Sequence, residues 1–148
     1  MGMTALDFEG IRQLLARYNF AVDLGDAEGW ARCFTADGTF LCTPEGGPLT
    51  GRHQGHDALV AYARTHYGIN QGRARHWNWN LEIDGDGQRA TMRCYLAAMS
   101  ATAPEGPAAL RATGVYRDEL VKVDGRWRFA TRHIHIDPQP VDPGLPGA

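Results

Sequence analysis

The sequence predicts an α+β fold in which a cone-shaped, curved β-sheet, antiparallel or mixed, wraps around N-terminal helices. Apolar residues with helical spacing fill the first part of the 148-residue chain. From about residue 76 onwards, apolar and polar side chains alternate with the period of two that is typical of strands. Because helices come first and strands afterwards, we expect the helices on one side of a largely antiparallel sheet.

Three helices are predicted. The first covers residues 7–24, where apolar side chains recur at helical spacing, with Thr4 as a weak capping signal. Gly25 ends it, and Asp26 caps a short second helix over residues 27–34. The third helix covers residues 57–67 and presents Leu59, Val60 and Tyr62.

The strands are bounded by turn residues. Asp37-Gly38 leads into a strand at 39–43, and the Gly- and Pro-rich residues 44–55 predict a surface loop. Longer strands follow at 76–83, 90–99, 110–123 and 126–136, with aspartate–glycine turns at 84–87 and 124–125. We predict a single domain over residues 1–137 and a proline-rich tail over 138–148.

Composition excludes several classes of function. The net charge of −2 gives no basic surface for nucleic acid, and no apolar run is long enough to span a membrane. Cys33, Cys42 and Cys94 are odd in number and widely spaced, which favours buried thiols in a cytoplasmic protein over disulfides or a zinc site. His133 with His135, and His53 with His56, lack a third ligand, so no metal site is predicted.

The order of motifs resembles the nuclear transport factor 2-like superfamily, in particular its SnoaL-like domains, over roughly residues 7–137. The motifs are Tyr18 with Asp23-Leu24-Gly25-Asp26, then Trp30, Phe34 and Asp37-Gly38, then Arg75-His76 with Asn80, then Gly114 to Leu120, and Asp124 to Phe129. This resemblance implies a cone-shaped fold with a small-molecule pocket and no cofactor.

The resemblance also implies a catalytic dyad. Scytalone dehydratase and a dehydrochlorinase in this superfamily use a buried aspartate at the end of the first helix and a histidine at the start of a strand. Asp23 and His76 occupy the matching places here. The dehydrochlorinase also carries an arginine on its last strand, in a context similar to Thr131-Arg132-His133-Ile134-His135.

The chemistry of these residue types fits proton transfer. Histidine titrates near neutral pH, and Asp23 would hold one ring nitrogen of His76 so that the other is free to act as a base. The alternative for His76 is a surface position on the polar side of its strand. Asp23 lies on a flank of the apolar stripe of its helix and could equally be a solvated carboxylate.

Arg132 and Tyr18 are further catalytic candidates. Arg132 alternates with apolar residues on the last strand, so it either stabilises negative charge on a substrate or pairs with a neighbouring carboxylate. Tyr18 lies on the apolar stripe, where it is a core residue or a donor to a substrate oxygen. Four aromatic residues are candidates for lining a substrate pocket: Trp30, Phe40, Tyr95 and Tyr116.

The predicted function is a cofactor-independent lyase or isomerase, of dehydratase, elimination or cyclase type, acting on a small cyclic, mostly apolar substrate. The alternative is a non-catalytic ligand-binding protein, or a structural subunit resembling the β subunit of ring-hydroxylating dioxygenases. Trp77 and Trp79 lie on the strand face opposite His76. We therefore expect a homodimer or higher homo-oligomer formed through the sheet, with packing beneath a loop or the tail as the alternative cover.

Overall fold

The computed structural model describes residues 2–101 and 103–138. Its elements are the helices α1 (Ala5–Leu24), α2 (Ala27–Ala31) and α3 (His56–Asn70), and the strands β1 (Phe34–Thr43), β2 (Gly51–Gln54), β3 (Ala74–Gly85), β4 (Arg89–Ala101), β5 (Ala108–Val123) and β6 (Arg126–Ile136). Apart from Pro138, the predicted proline-rich tail lies outside the described residues. No helix of this part of the chain is long and apolar enough to cross a membrane.

Helix α1 begins and ends where local chemistry dictates. The side chain of Thr4 accepts from the backbone of Asp7, and the Asp7 carboxylate accepts from the backbone of Thr4, which forms a complete capping box. A hydrogen bond from Lys122, and to a smaller extent those from Thr4, hold the pKa of the Asp7 carboxyl well below its usual range. At the other end, Gly25 has φ 85°, a left-handed conformation that glycine adopts without steric cost.

The sheet is mixed, and its order is β2-β1-β6-β5-β4-β3. Strands β1 and β6 run parallel, and every other neighbouring pair is antiparallel. Helix α1 packs against β3 and β6, whereas α3 packs against β1 and β2. The inner face of the curved sheet therefore encloses the core together with the helices, and the predicted α+β cone is confirmed.

Two boundaries near β1 were predicted wrongly. The second helix ends at Ala31 rather than at Phe34, because Phe34 already pairs with Phe129 on β6. Asp37-Gly38 is an irregularity inside β1 rather than its start, since pairing resumes at Thr39. The predicted loop over residues 44–55 contains the short strand β2, whose polar sequence Gly-Arg-His-Gln lacks an apolar alternation that could have indicated it.

An irregularity in β3 decides which side chains face the helices. Pairing with β4 shifts between Trp79 and Glu82, and Asn80 adopts a positive φ of 57°. One extra residue reverses the facing of everything beyond it. Leu81 and Ile83 therefore pack against the core, whereas Trp77 and Trp79, on the far side of the bulge, project outwards.

Candidate active site

Asp23 and His76 form a closely bonded pair between the end of α1 and the start of β3. The Asp23 Oδ1 to His76 Nδ1 distance is 2.5 Å, and Asp23 Oδ2 accepts from the backbone N–H of His76 at 3.0 Å. One carboxylate thus fixes both the ring and the strand that carries it. Because an ionised carboxylate can only accept, Nδ1 carries a proton, and in the neutral ring Nε2 is then unprotonated and available as a base.

A second pair of residues, Asn19 and Asn78, also links α1 to β3. Asn19 lies one helical turn before Asp23, and Asn78 lies two residues after His76 on the same strand face. The Asn19 amide donates to Asn78 Oδ1 at 2.8 Å, and the Asn78 amide donates to the Tyr95 carbonyl at 3.1 Å. These two asparagines were not singled out from the sequence. The signal that indicates them is the combined i, i+4 spacing on α1 and i, i+2 spacing on β3.

The two members of the dyad differ in exposure. The His76 side chain is 14% exposed and that of Asp23 is 6% exposed. The carboxylate is therefore almost completely buried, while part of the imidazole remains accessible. A large open groove lies elsewhere, along the outer side of α1 between Phe20 and Trp127, and it does not include either dyad residue. We place the candidate site at the dyad because the bonding geometry is there.

His66 on α3 was missed by the sequence analysis. Its ring centroid lies 5.1 Å from that of His76, and the residue is 6% exposed. Burial, and to a smaller extent the proximity of His76, lowers the pKa of His66 to about 4. The signal was its position on the apolar stripe of α3, in helical register with Leu59 and Tyr62.

Arg132 lies in the core and not beside the dyad. It is fully buried, and its Nη1 donates to Asp118 Oδ2 at 2.7 Å. Burial raises the pKa of the Asp118 carboxyl, and the Arg132 guanidinium counteracts this increase. Two roles were considered for Arg132, namely stabilising negative charge on a substrate and pairing with a neighbouring carboxylate. The structure contains the ion pair. Asp118 had a detectable signal, since it falls between Tyr116 and Leu120 on the inner face of β5.

Aromatic rings surround the Arg132 guanidinium. Its central carbon lies 3.6 Å from the Tyr116 ring centroid, 4.5 Å from that of Tyr18 and 4.6 Å from that of Phe129. Such contacts stabilise a buried cation. Burial raises the pKa of Tyr18 well above its ordinary value and that of Tyr116 to about 12, so both hydroxyls stay protonated. Among the described residues, no hydrogen bond, ion pair or ring contact joins Tyr18 or Arg132 to the dyad.

The pocket-lining predictions have mixed outcomes. Trp30 and Phe40 are buried on the inner side, where both contact the Tyr62 ring, at centroid distances of 5.2 and 4.7 Å. Tyr116 is also buried on this side. Tyr95 was predicted wrongly: it is 54% exposed and pairs with Trp79 on the outer face. The even-numbered residues of β4 face inwards, so Tyr95 points away from the dyad.

The histidine pairs considered as metal ligands have other partners. Thr43 Oγ1 lies 2.8 Å from His133 Nε2 and 2.9 Å from His135 Nδ1. His56 pairs with Glu28, and His53 contacts the Thr50 carbonyl. Within residues 2–101 and 103–138, no cluster of three or more His, Cys, Asp or Glu side chains has the arrangement of a metal site.

Comparison with known proteins identifies the family. A family model described as a SnoaL-like domain matches residues 3–133. The chain belongs to this SnoaL-like family. The match covers both dyad residues and all but the end of the last strand. The predicted resemblance is therefore confirmed.

Solved structures share the fold of this SnoaL-like chain. A variant of Rv3472, a protein of unknown function from Mycobacterium tuberculosis, is 34% identical with a TM-score of 0.81, over 96% of this chain and 78% of that one. A Nostoc punctiforme protein with a cystatin-like fold is 27% identical with a TM-score of 0.81, over 94% and 97% of the two chains. A scytalone dehydratase-like protein from Novosphingobium aromaticivorans is 25% identical with a TM-score of 0.76, over 90% and 85%. No curated protein matched the sequence.

Proposed function

We propose that this SnoaL-like protein is a cofactor-independent lyase or isomerase that removes a proton from carbon with His76 as the base. The observation that carries the proposal is the bond of 2.5 Å between Asp23 and His76 Nδ1, in a site where the carboxylate is buried and part of the imidazole is accessible. The similarity to a scytalone dehydratase-like protein supports the same class of reaction.

The chemistry follows from the tautomer that Asp23 imposes. Nε2 of His76 takes a proton from a carbon next to a carbonyl or a leaving group, and the ring becomes an imidazolium. The ionised Asp23 stabilises that positive charge without accepting the proton itself. Return of the proton to another carbon gives isomerisation, and loss of a leaving group gives elimination or dehydration.

The proposed substrate is a small cyclic molecule with a largely apolar body. Around the dyad, the inner side of the protein carries aromatic rings, among them Tyr62, which lies 6.4 Å from the His66 ring. Aromatic surroundings favour flat apolar molecules and exclude water, which strengthens the electrostatic part of catalysis. We do not propose that Arg132 contacts the substrate, because Asp118 already neutralises its charge.

Deuterium incorporation tests the proposal without knowledge of the natural substrate. A panel of cyclic ketones and phenolic ketones is incubated with the protein in D2O, and exchange at carbon is followed by NMR or mass spectrometry. We expect the wild-type protein to accelerate exchange of at least one ketone, and His56→Ala, which removes an exposed histidine at the start of α3, to retain that rate. Binding of ketones without any accelerated exchange would instead support the ligand-binding alternative.

We also propose that the outer face of the sheet binds a second copy of this chain. Trp79, Tyr95, Val115 and His135 are cross-strand neighbours in one row. Trp77 and Trp79 are 44% and 54% exposed and stack on each other at 6.1 Å. Aromatic residues are enriched at interfaces, and a twofold axis lets one such row cover its own copy.

Sedimentation velocity measures this association. We expect a dimer or larger oligomer for the wild-type protein and a monomer for Trp79→Lys, because burying a lysine in this aromatic surface would require the removal of its hydration shell. Phe20→Lys is the matched control, since Phe20 is an equally large exposed ring, 68% accessible, on the outer side of α1. A monomeric wild-type protein, or equal effects of both substitutions, would contradict the proposal.

A further inference from the structure

His66 is a buried titratable group for which the proposed mechanism has no use. It projects from the third turn of α3 onto the His76 ring, with a centroid distance of 5.1 Å and an interplanar angle of 48°. The groups that face it are Asp23 and the Val22 carbonyl from α1, His76 from β3, and Tyr62 and Asn70 from its own helix. It is therefore in contact with the base and close to the carboxylate that orients the base.

The environment of His66 keeps this imidazole neutral. The Asn70 amide nitrogen lies 3.3 Å from His66 Nε2 and also donates to the His66 carbonyl at 3.0 Å. Because an amide N–H can only donate, Nε2 accepts and the proton resides on Nδ1. That side of the ring is near the Val22 carbonyl, although the contact falls short of standard hydrogen-bond geometry.

A neutral ring beside His76 has two physical consequences. It fills the space next to the catalytic imidazole with a flat, rigid side chain, which restricts rotation of the His76 ring away from Asp23. It also adds no positive charge, so only His76 carries a positive charge when it accepts a proton. A charged neighbour at this distance would oppose that proton uptake.

We infer that His66 is a positioning residue, which holds the His76 ring in the tautomer and orientation that expose Nε2, by packing as an uncharged aromatic ring. This role rests on the proposed function, since it concerns the geometry of the same base. It does not depend on turnover for its test, because the tautomer of a histidine can be observed directly.

The test uses the intact protein with ¹⁵N-labelled histidine and long-range ¹H–¹⁵N correlation spectra, which distinguish the tautomers. In the wild-type protein we expect His66 to be neutral with its proton on Nδ1 at pH 6.5, well above its folded-state pKa of about 4, and the neutral form of His76 to be the Nδ1–H tautomer. A His66 ring that is charged at this pH, or that carries its proton on Nε2, would overturn the inference without any substitution.

Two variants separate ring packing from other effects. His66→Ala removes the ring and should let His76 populate both tautomers, with the exchange rate falling roughly ten- to a hundredfold. His66→Phe keeps an uncharged ring and should restore the single His76 tautomer and most of the rate. An unchanged His76 tautomer in His66→Ala, or a mixture in a folded His66→Phe, contradicts the inference. If no exchange is found even in the wild-type protein, the tautomer result still decides this point independently.

The pH dependence of stability gives another measurement. The folded-state pKa of His66, about 4, lies below the ordinary value of 6.5, so the unfolded chain binds this proton more readily. The contribution of His66 to stability is therefore fully present above pH 6.5 and is lost as the pH falls towards 4. We expect the melting temperature of His66→Phe to fall less over this interval than that of the wild-type protein. Equal falls would contradict a buried, neutral His66.

Discussion

Replacing His76 with alanine or Asp23 with asparagine should lower the rate of carbon-bound proton exchange by roughly 10²- to 10⁴-fold, the usual contribution of a positioned general base. His76→Ala removes the base. Asp23→Asn keeps the size of the side chain but places an amide against His76 Nδ1, so that the tautomer with a free Nε2 is no longer imposed. In both variants, the change resides in the chemical step and not in substrate binding.

Matched controls make this result specific to the dyad. Asp57→Asn removes an exposed carboxylate from the first turn of α3, and His56→Ala removes an exposed histidine from the start of the same helix; both should retain the exchange rate. Thermal unfolding shows whether each dyad variant is folded at the temperature of the assay. Full activity in a folded His76→Ala protein would eliminate the proposed mechanism, and full activity in Asp23→Asn would eliminate the orienting role of the carboxylate.

Breaking the buried ion pair should have the largest effect on stability. Asp118→Asn leaves the fully buried Arg132 guanidinium without a compensating charge, and loss of one partner of a buried pair costs about 3–5 kcal/mol. The free energy of unfolding from urea titration measures this. We expect the double variant with Asp118→Leu and Arg132→Met to be more stable than Asp118→Asn, because no uncompensated charge remains in the core.

An exposed ion pair on the same sheet provides the comparison. Glu82 and Arg93 also bridge neighbouring strands, but their side chains are 65% and 64% exposed. Glu82→Gln should therefore lower the free energy of unfolding far less than Asp118→Asn does, because solvent screens an exposed ion pair. If Asp118→Asn cost no more than Glu82→Gln, the Asp118–Arg132 pair would not be the structural core element that its burial indicates.

Much of the fold was predictable because its signals are local. The spacing of Ile11, Leu14 and Tyr18 predicts α1, and its ends follow from Thr4 and Gly25, all within a few residues of one another. The Asp124-Gly125 turn predicts the hairpin of β5 and β6, which the structure contains. Strand β2 could not be predicted, since it is polar, four residues long and defined by its pairing with β1.

The candidate site was only partly predictable, since its contacts join distant parts of the chain. Asp23 and His76 are 53 positions apart, and Asn19 and Asn78 are 59 apart. Tyr95 was wrongly predicted to line the pocket, because an aromatic residue in an alternating strand gives no indication of which face of the sheet is the inner one. That assignment requires the register of β3 against β4.

Residue types and their spacing by themselves determined the helices, most strands, the α+β class and the resemblance that singled out Asp23 and His76. Only the tertiary structure decided that the ring of His76 bonds Asp23 through Nδ1, that Arg132 forms an ion pair with Asp118, and that His66 packs against the base. The physical reason is that a side chain's charge state and partners depend on burial and on neighbours from other elements. Those are set by helix packing and strand register, neither of which the local sequence encodes.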